Sequence, residues 1–216
     1  GVVNVVTGFG DTTGEPLVDH PDVRMVSFTG GTGGGKAVAA VAARKVKPVV
    51  MELGGKSPQI IFPDADLDLA VNGVASGIFP PGGQSCISGT RILVHQDIIA
   101  EFTSRLAELA GRARVGPPDD PNSQIGPMAN RPHYEHVLSS IEAAVDAGHE
   151  LLLDGRSECR ERGYFIGPTI FANVPNESDL AQNEVFGPVA STEAWVDEKD
   201  AVRIANDTIF GLAAGI

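Results

Sequence analysis

The stretch Met25-Val26-Ser27-Phe28-Thr29-Gly30-Gly31-Thr32-Gly33-Gly34-Gly35-Lys36 decides the fold, together with the run to Lys47 and the segment Pro48-Val49-Val50-Met51-Glu52-Leu53. A β-branched and aromatic run closed by glycines has the composition of a strand. Lys36 to Lys47 is rich in Ala and Lys, contains neither Pro nor Gly, and favours helix. Pro48 to Leu53 then predicts a further strand, buried by its apolar character. Strand, helix and strand in that order imply parallel pairing through a crossover, hence an α/β sheet with its site at the C-terminal ends of the strands.

Working outward, Val2-Val3-Asn4-Val5-Val6 is β-branched and predicts one more strand upstream. Downstream, Leu67 to Ile78 reads as a helix and Arg91 to His95 as a strand. Asp97 to Val115 reads as an amphipathic helix with Asp97 near its start, and Gly116 to Asn122 as a Pro- and Asp-rich loop. Arg131 to Gly148 predicts a helix ended by glycine. Leu151 to Leu153, Thr169 to Phe171 and Val189 to Thr192 predict strands, and Lys199 to Asn206 a short helix.

The 216 residues carry a formal net charge of -12, which argues against a nucleic-acid partner because phosphate neutralisation needs clustered Lys and Arg. No apolar run approaches the ~20 residues that cross a bilayer, so no membrane association is expected. Two cysteines build no disulfide framework, and a reduced, cytoplasmic setting follows as the expectation.

Chemistry concentrates at a few positions. Cys86 sits in Gly82-Gly83-Gln84-Ser85-Cys86-Ile87-Ser88-Gly89, where glycines remove bulk and let a substrate approach a thiol. The competing reading is a small buried hydrophobe, against which its polar flank argues. Glu52 ends an apolar run ahead of Gly54 and Gly55, a place for a general base; its position predicts partial burial, and the competing reading is a solvated strand-end acid. Gly30 to Gly35 opens a helix, where uncapped N–H groups can receive a pyrophosphate. Gly30, four residues and Gly35-Lys36 nearly spell a P-loop, but Ala37 stands where Ser or Thr must hold Mg²⁺, and a packing hinge is the other alternative. Glu184 and Phe186 precede Gly187-Pro188, so a carboxylate for a ribose diol and a ring for a nicotinamide sit on one rigid turn; an exposed acid beside a core Phe is the alternative. Lys56 and Arg91 read as structural cations bridging strand ends to carboxylates. His133 and His136 lack the partners a zinc site needs, so no metal is expected.

Six segments in order, Phe28-Thr29-Gly30-Gly31-Thr32, Met51-Glu52-Leu53-Gly54-Gly55-Lys56-Ser57-Pro58, Gly83-Gln84-Ser85-Cys86, Gly163-Tyr164-Phe165-Ile166, Asn183-Glu184-Val185-Phe186-Gly187-Pro188-Val189 and Asn206-Asp207-Thr208-Ile209-Phe210-Gly211-Leu212, resemble signatures of the NAD(P)-dependent aldehyde dehydrogenase superfamily. The resemblance implies an α/β fold in two parts: a parallel-sheet, Rossmann-like half-domain over 1–53, the second part of a dinucleotide-binding domain, then an α/β catalytic domain over 54–216. It implies oxidation of an aldehyde to a carboxylic acid with NAD or NADP, through a thiohemiacetal and a thioester on Cys86, with Glu52 activating the deacylating water. Gly30, Gly31, Gly35, Leu53, Glu184 and Phe186 become the coenzyme residues.

Two departures stand out. Gly31 replaces a frequent Ser and so lacks a hydroxyl donor, and Phe79-Pro80-Pro81 places two prolines, without N–H groups, just before the thiol loop. By resemblance the family's second oxyanion donor and its adenosine-ribose Lys come from sequence before Gly1, and its subunit-pairing strand from beyond Ile216. The expectation is therefore a fragment with little turnover alone, taken from a homodimeric or homotetrameric parent. A non-catalytic binding module derived from the enzyme is the alternative. A thioester-forming variant using coenzyme A would not need Glu52 as base, so that residue favours hydrolysis.

Overall fold

The computed structural model describes Gly1 to Ile216 and divides into two units, Gly1–Gly54 and Gly55–Ile216. In the first, a single π turn at Gly10–Gly14 leads into α1 (Glu15–Asp19), followed by β1 (Val26–Thr29), α2 (Thr32–Ala43) and β2 (Val49–Glu52). β1 and β2 pair in parallel from Val26↔Val49 to Thr29↔Glu52, as the strand, helix, strand order requires. Val18, Val41 and Ala42 are buried against Val26 and Val38. Helix α2 starts four residues earlier than its composition predicts, because Gly31 takes the extended cap conformation and the glycines after it enter the helix. It ends where Val46 turns left-handed and the Lys47 N–H returns to the Ala42 carbonyl at 3.1 Å.

Two expectations for this unit are not met. Val2 to Val6 forms no strand and is exposed, since a β-branched run becomes a strand only when a ladder accepts it, and here the sheet is β1 with β2 alone. β2 is not buried: Val49, Val50 and Glu52 are all exposed, because a two-stranded sheet cannot cover both faces of its strands.

The second unit is a five-stranded sheet in the order β3 (Pro58–Ile61), β4 (Arg91–His95), β7 (Val189–Trp195), β6 (Thr169–Ala172), β5 (Glu150–Leu153). Every pairing is parallel except β5 with β6, which is antiparallel and shifts register between Leu151 and Leu153. Successive residues serve opposite faces, as the strand period demands. Ile92 and Val94 pack with α3 (Leu67–Ile78) and α4 (Ile99–Gly111), whereas Leu93 packs with Trp195 and with Ala201 and Ile204 of α7 (Glu198–Asn206). Further along that second face, Phe171 and Val189 meet Val137 and Ile141 of α5 (Arg131–Asp146) and Leu180 of α6 (Asp179–Gln182). The result is three layers, helices on both faces of a largely parallel sheet.

Helix ends follow local chemistry. Asp66 caps α3 by accepting from the N–H groups of Asp68 and Leu69, and Asn130 caps α5 by accepting from His133 N–H. Gly148 takes φ +82 just past α5, as its sequence position predicts. Helix α4 is shorter than expected, with Ile98 rather than Asp97 at its cap. No helix is long and apolar enough to cross a membrane.

Candidate active site

In the first unit the glycine cluster divides by task. A Cβ on Gly31 would meet nothing within 4 Å, and this residue caps a twelve-residue helix with no side chain over the helix N–H groups. That opening suits an anionic group. Gly30 and Gly35 are also packing positions: a Cβ on Gly30 would lie 2.7 Å from the Phe28 ring, and one on Gly35 2.5 Å from the Leu53 side chain. Leu53 thus acts on Gly35, holding α2 against the end of β2. The Glu52 carbonyl accepts from Gly30 N–H at 3.0 Å, which ties the strand end to the glycine cluster. The Glu52 side chain is exposed, so the partial burial expected from its apolar neighbours is absent; in a two-stranded sheet nothing shields it.

The C-terminal placement expected for the β1–β2 sheet holds for Gly30 and Glu52, which stand at its strand ends, whereas in the second unit the predicted residues gather at the N-terminal ends of β3, β4 and β7. The parallel register explains this. Gly55 precedes β3, Cys86 precedes β4 and Glu184 precedes β7, so all three leads emerge at one edge.

The thiol loop is built by a helix end. After α3, Gly82 N–H donates to Phe79 carbonyl and Gly83 N–H to Ile78 carbonyl, both at 2.8 Å, with φ +63 and +64 at the two glycines. This paired return is a Schellman closure, and it places Pro80 and Pro81 where the chain is turning. Pro81 leaves the Gly77 carbonyl without its helical donor, and the Ser88 hydroxyl donates to that carbonyl at 3.4 Å. Gln84 fixes the loop's other side, donating to Pro127 carbonyl at 3.4 Å and accepting from Ala129 N–H at 2.9 Å. Cys86 is half-buried, and its own N–H makes no hydrogen bond within the protein. A Cβ on Gly55 would lie 2.4 Å from the Cys86 carbonyl oxygen, so only glycine lets the lead into β3 run beside the thiol loop.

The Glu184 turn locks onto the same parts. Glu184 Oε1 accepts from Gly55 N–H at 3.1 Å. Phe186 is left-handed at φ +56, a conformation that costs a non-glycine residue about 1–3 kcal/mol and persists only where neighbours enforce it. One of those neighbours is His133, whose Nε2 lies 2.7 Å from the Phe186 carbonyl oxygen and whose ring meets the Phe186 ring edge-on at 5.7 Å. No local signal announces this contact, since His133 is 53 residues from Phe186.

Behind the edge lies a buried charged cluster. Lys56 is 2% exposed, and its ammonium is pushed down to about 7 by burial and then by Arg91, with Glu184 opposing. Arg91 does not bridge to a carboxylate as expected. It donates to the carbonyls of Ala205 and Ile204 and to the Asn176 side-chain oxygen, and Asn176 passes the connection to Asp207 at 2.6 Å. Burial raises Glu193 to about 7 although Arg91 opposes the shift. Cys159, the other thiol, is free and lies beside Tyr134, whose phenol is pushed up to about 12 first by that thiol and then by burial.

A free thiol on a glycine-locked loop beside a carboxylate-bearing turn, at one edge of a largely parallel sheet, defines an α/β thiol site. The chain belongs to the aldehyde dehydrogenase family, whose model matches residues 1–216. It is 42% identical over its whole length to chloroplastic betaine aldehyde dehydrogenase from Amaranthus hypochondriacus, covering 43% of that protein. It is also 44% identical over its whole length to 5-carboxymethyl-2-hydroxymuconate semialdehyde dehydrogenase from Escherichia coli, covering 47% of it. An NAD-dependent aldehyde dehydrogenase from Sinorhizobium meliloti superposes with a TM-score of 0.95 at 44% identity, over 98% of this chain and 42% of that one. A betaine aldehyde dehydrogenase from Staphylococcus aureus, solved in complex with NAD+, superposes with a TM-score of 0.92 at 35% identity, over 97% of this chain and 42% of that one. The chain spans less than half the length of these relatives.

Proposed function

We propose that the full-length protein oxidises an aldehyde to its carboxylic acid with a nicotinamide dinucleotide, NAD or NADP. The observation that carries this reading is the interlock of the Cys86 loop, Gly55 and the Glu184–Phe186 turn, in a chain whose relatives are named aldehyde dehydrogenases. When bound, the oxidised nicotinamide accepts a hydride from the carbon held by Cys86.

The residues divide the work as follows. Cys86 Sγ adds to the aldehyde carbon, and the unbonded Cys86 N–H supports the oxygen that becomes negative. After hydride loss the acyl group remains on Sγ as a thioester. Glu52 takes a proton from water, the water oxygen attacks the thioester carbon, and the thiolate leaves as the acid is released. The open helix start at Gly31 receives the pyrophosphate, with Gly30, Gly35 and Leu53 fixing that helix start by packing. Glu184 and Phe186 hold the ribose and ring of the nicotinamide end.

Residues 1–53 then serve as the second part of the coenzyme domain and 54–216 as the thiol-bearing domain. Two free thiols suit a reduced, cytoplasmic setting, and the family resemblance implies a homodimer or homotetramer. The direct test is dinucleotide reduction by the full-length protein with aldehydes: Cys86→Ala must abolish it with the fold retained, and undiminished turnover in that variant would end the assignment.

A further inference from the structure

We propose that His133 is a positioning residue for the nicotinamide end of the site, acting through the backbone of Phe186; this rests on the coenzyme reading of Glu184 and Phe186 above. A carbonyl oxygen only accepts, so the 2.7 Å contact requires that Nε2 of His133 carry a proton and donate it to Phe186.

His133 is well placed to impose geometry. It lies in the first turn of α5, where its own N–H donates to the Asn130 cap at 2.9 Å, so its backbone belongs to a rigid helix start. The residue it grips is left-handed at φ +56, and such a residue springs back to an ordinary conformation unless it is held. Next to it, Gly187 is wedged from two sides: a Cβ there would lie 2.7 Å from Val137, and a Cβ on Gly83 would lie 1.8 Å from the Gly187 carbonyl oxygen. The turn is therefore clamped at Gly187 by packing, at Glu184 by Gly55 N–H, and at Phe186 by His133. Only the His133 clamp acts on the left-handed residue itself. Without it the Phe186 ring loses its fixed aim, while Glu184 keeps its bond from Gly55 and the sheet and thiol loop stay in place. The backbone bonds of Gly82 and Gly83 to the end of α3 and the two bonds of Gln84 hold the thiol loop without His133.

The experiment uses the full-length protein, with His133→Phe, which keeps a ring against Phe186 but cannot donate, and His133→Gln, whose amide N–H can. Single-turnover hydride transfer, NADH dissociation followed by fluorescence, and iodoacetamide labelling of Cys86 without coenzyme are measured for each. His133→Phe should slow hydride transfer on the order of 10- to 100-fold and speed NADH release, with labelling unchanged, because misaimed reactants lose rate steeply. His133→Gln should recover most of the loss. Unchanged hydride transfer in His133→Phe overturns the proposal, and so does equal impairment of the two variants, which would make the imidazole rather than its hydrogen bond the essential feature. Glu184→Gln measured alongside separates the two levels: if it too leaves coenzyme steps unchanged, the coenzyme reading itself falls.

Discussion

Gly83 lies flat against the carbonyl of Gly187, so close that a Cβ on Gly83 would sit 1.8 Å from that oxygen. This one contact joins the loop that presents Cys86 to the turn that presents Glu184 and Phe186, and both partners are backbone, with no flexible side chain to yield.

Glycine substitutions should therefore follow a steep order. Gly83→Ala combines φ +64 with a backbone clash and should destabilise by more than about 3 kcal/mol. Gly82→Ala, at φ +63 but facing the movable ends of Gln84 and Met128, should cost about 1–2 kcal/mol. Gly73→Ala, inside α3 with nothing within 4 Å, should stabilise by roughly 0.5–1 kcal/mol. Urea denaturation of the three variants checks the ranking, and a Gly83→Ala protein as stable as Gly82→Ala would contradict the close contact.

Cys86 should alkylate faster than Cys159. Both are half-buried, but Cys159 packs with Tyr134 against an apolar cluster while Cys86 sits in a loop opened by glycines. Iodoacetamide at neutral pH with peptide mass mapping measures this, and preferential modification of Cys159 would count against Cys86 as the nucleophile.

In the full-length protein, Glu52→Gln should leave a burst of NADH followed by slow turnover. A neutral amide cannot take a proton from water, yet the thiol still adds and hydride still leaves. Stopped-flow absorbance distinguishes this from loss of burst and turnover together, which would instead make Glu52 an activator of Cys86.

Stability should have opposing pH slopes on either side of about pH 7. Glu193 rises on folding from 4.5 to about 7, so the folded state binds more protons between those values, and its contribution, full below 4.5, is lost as pH rises through about 7. Lys56 falls from 10.5 to about 7, so the unfolded state binds more protons there, and stability from this group grows as pH rises from about 7 to 10.5. Denaturant titrations across this range should show the acid-side slope reduced in Glu193→Gln and the alkaline-side slope reduced in Lys56→Met. Unaltered slopes in both variants would show that neither group is perturbed by burial.

The local part of this architecture was written in the sequence. Helix α3 runs from Leu67 to Ile78 as its pattern predicts, because an aspartate cap and an apolar face act within a dozen residues. The parallel pairing of β1 with β2 follows from strand, helix, strand order, and Gly148 stops α5 where a left-handed residue is needed. The exposure of Val2 to Val6 and of β2 was not readable, since composition states what a segment prefers and not whether a neighbour arrives to cover it.

For the site, the sequence determined which residues carry chemistry: the cysteine among glycines, the strand-end glutamate, and the acid and ring ahead of Gly187-Pro188. Tertiary structure alone decided how those in Gly55–Ile216 meet. Their gathering at the N-terminal edge of the sheet comes from strand register, the hydrogen bond from Gly55 to Glu184 spans 129 residues, and the grip of His133 on Phe186 spans 53. Side-chain type is a property of one position, whereas these contacts exist only once parallel strands bring distant loops to a common edge.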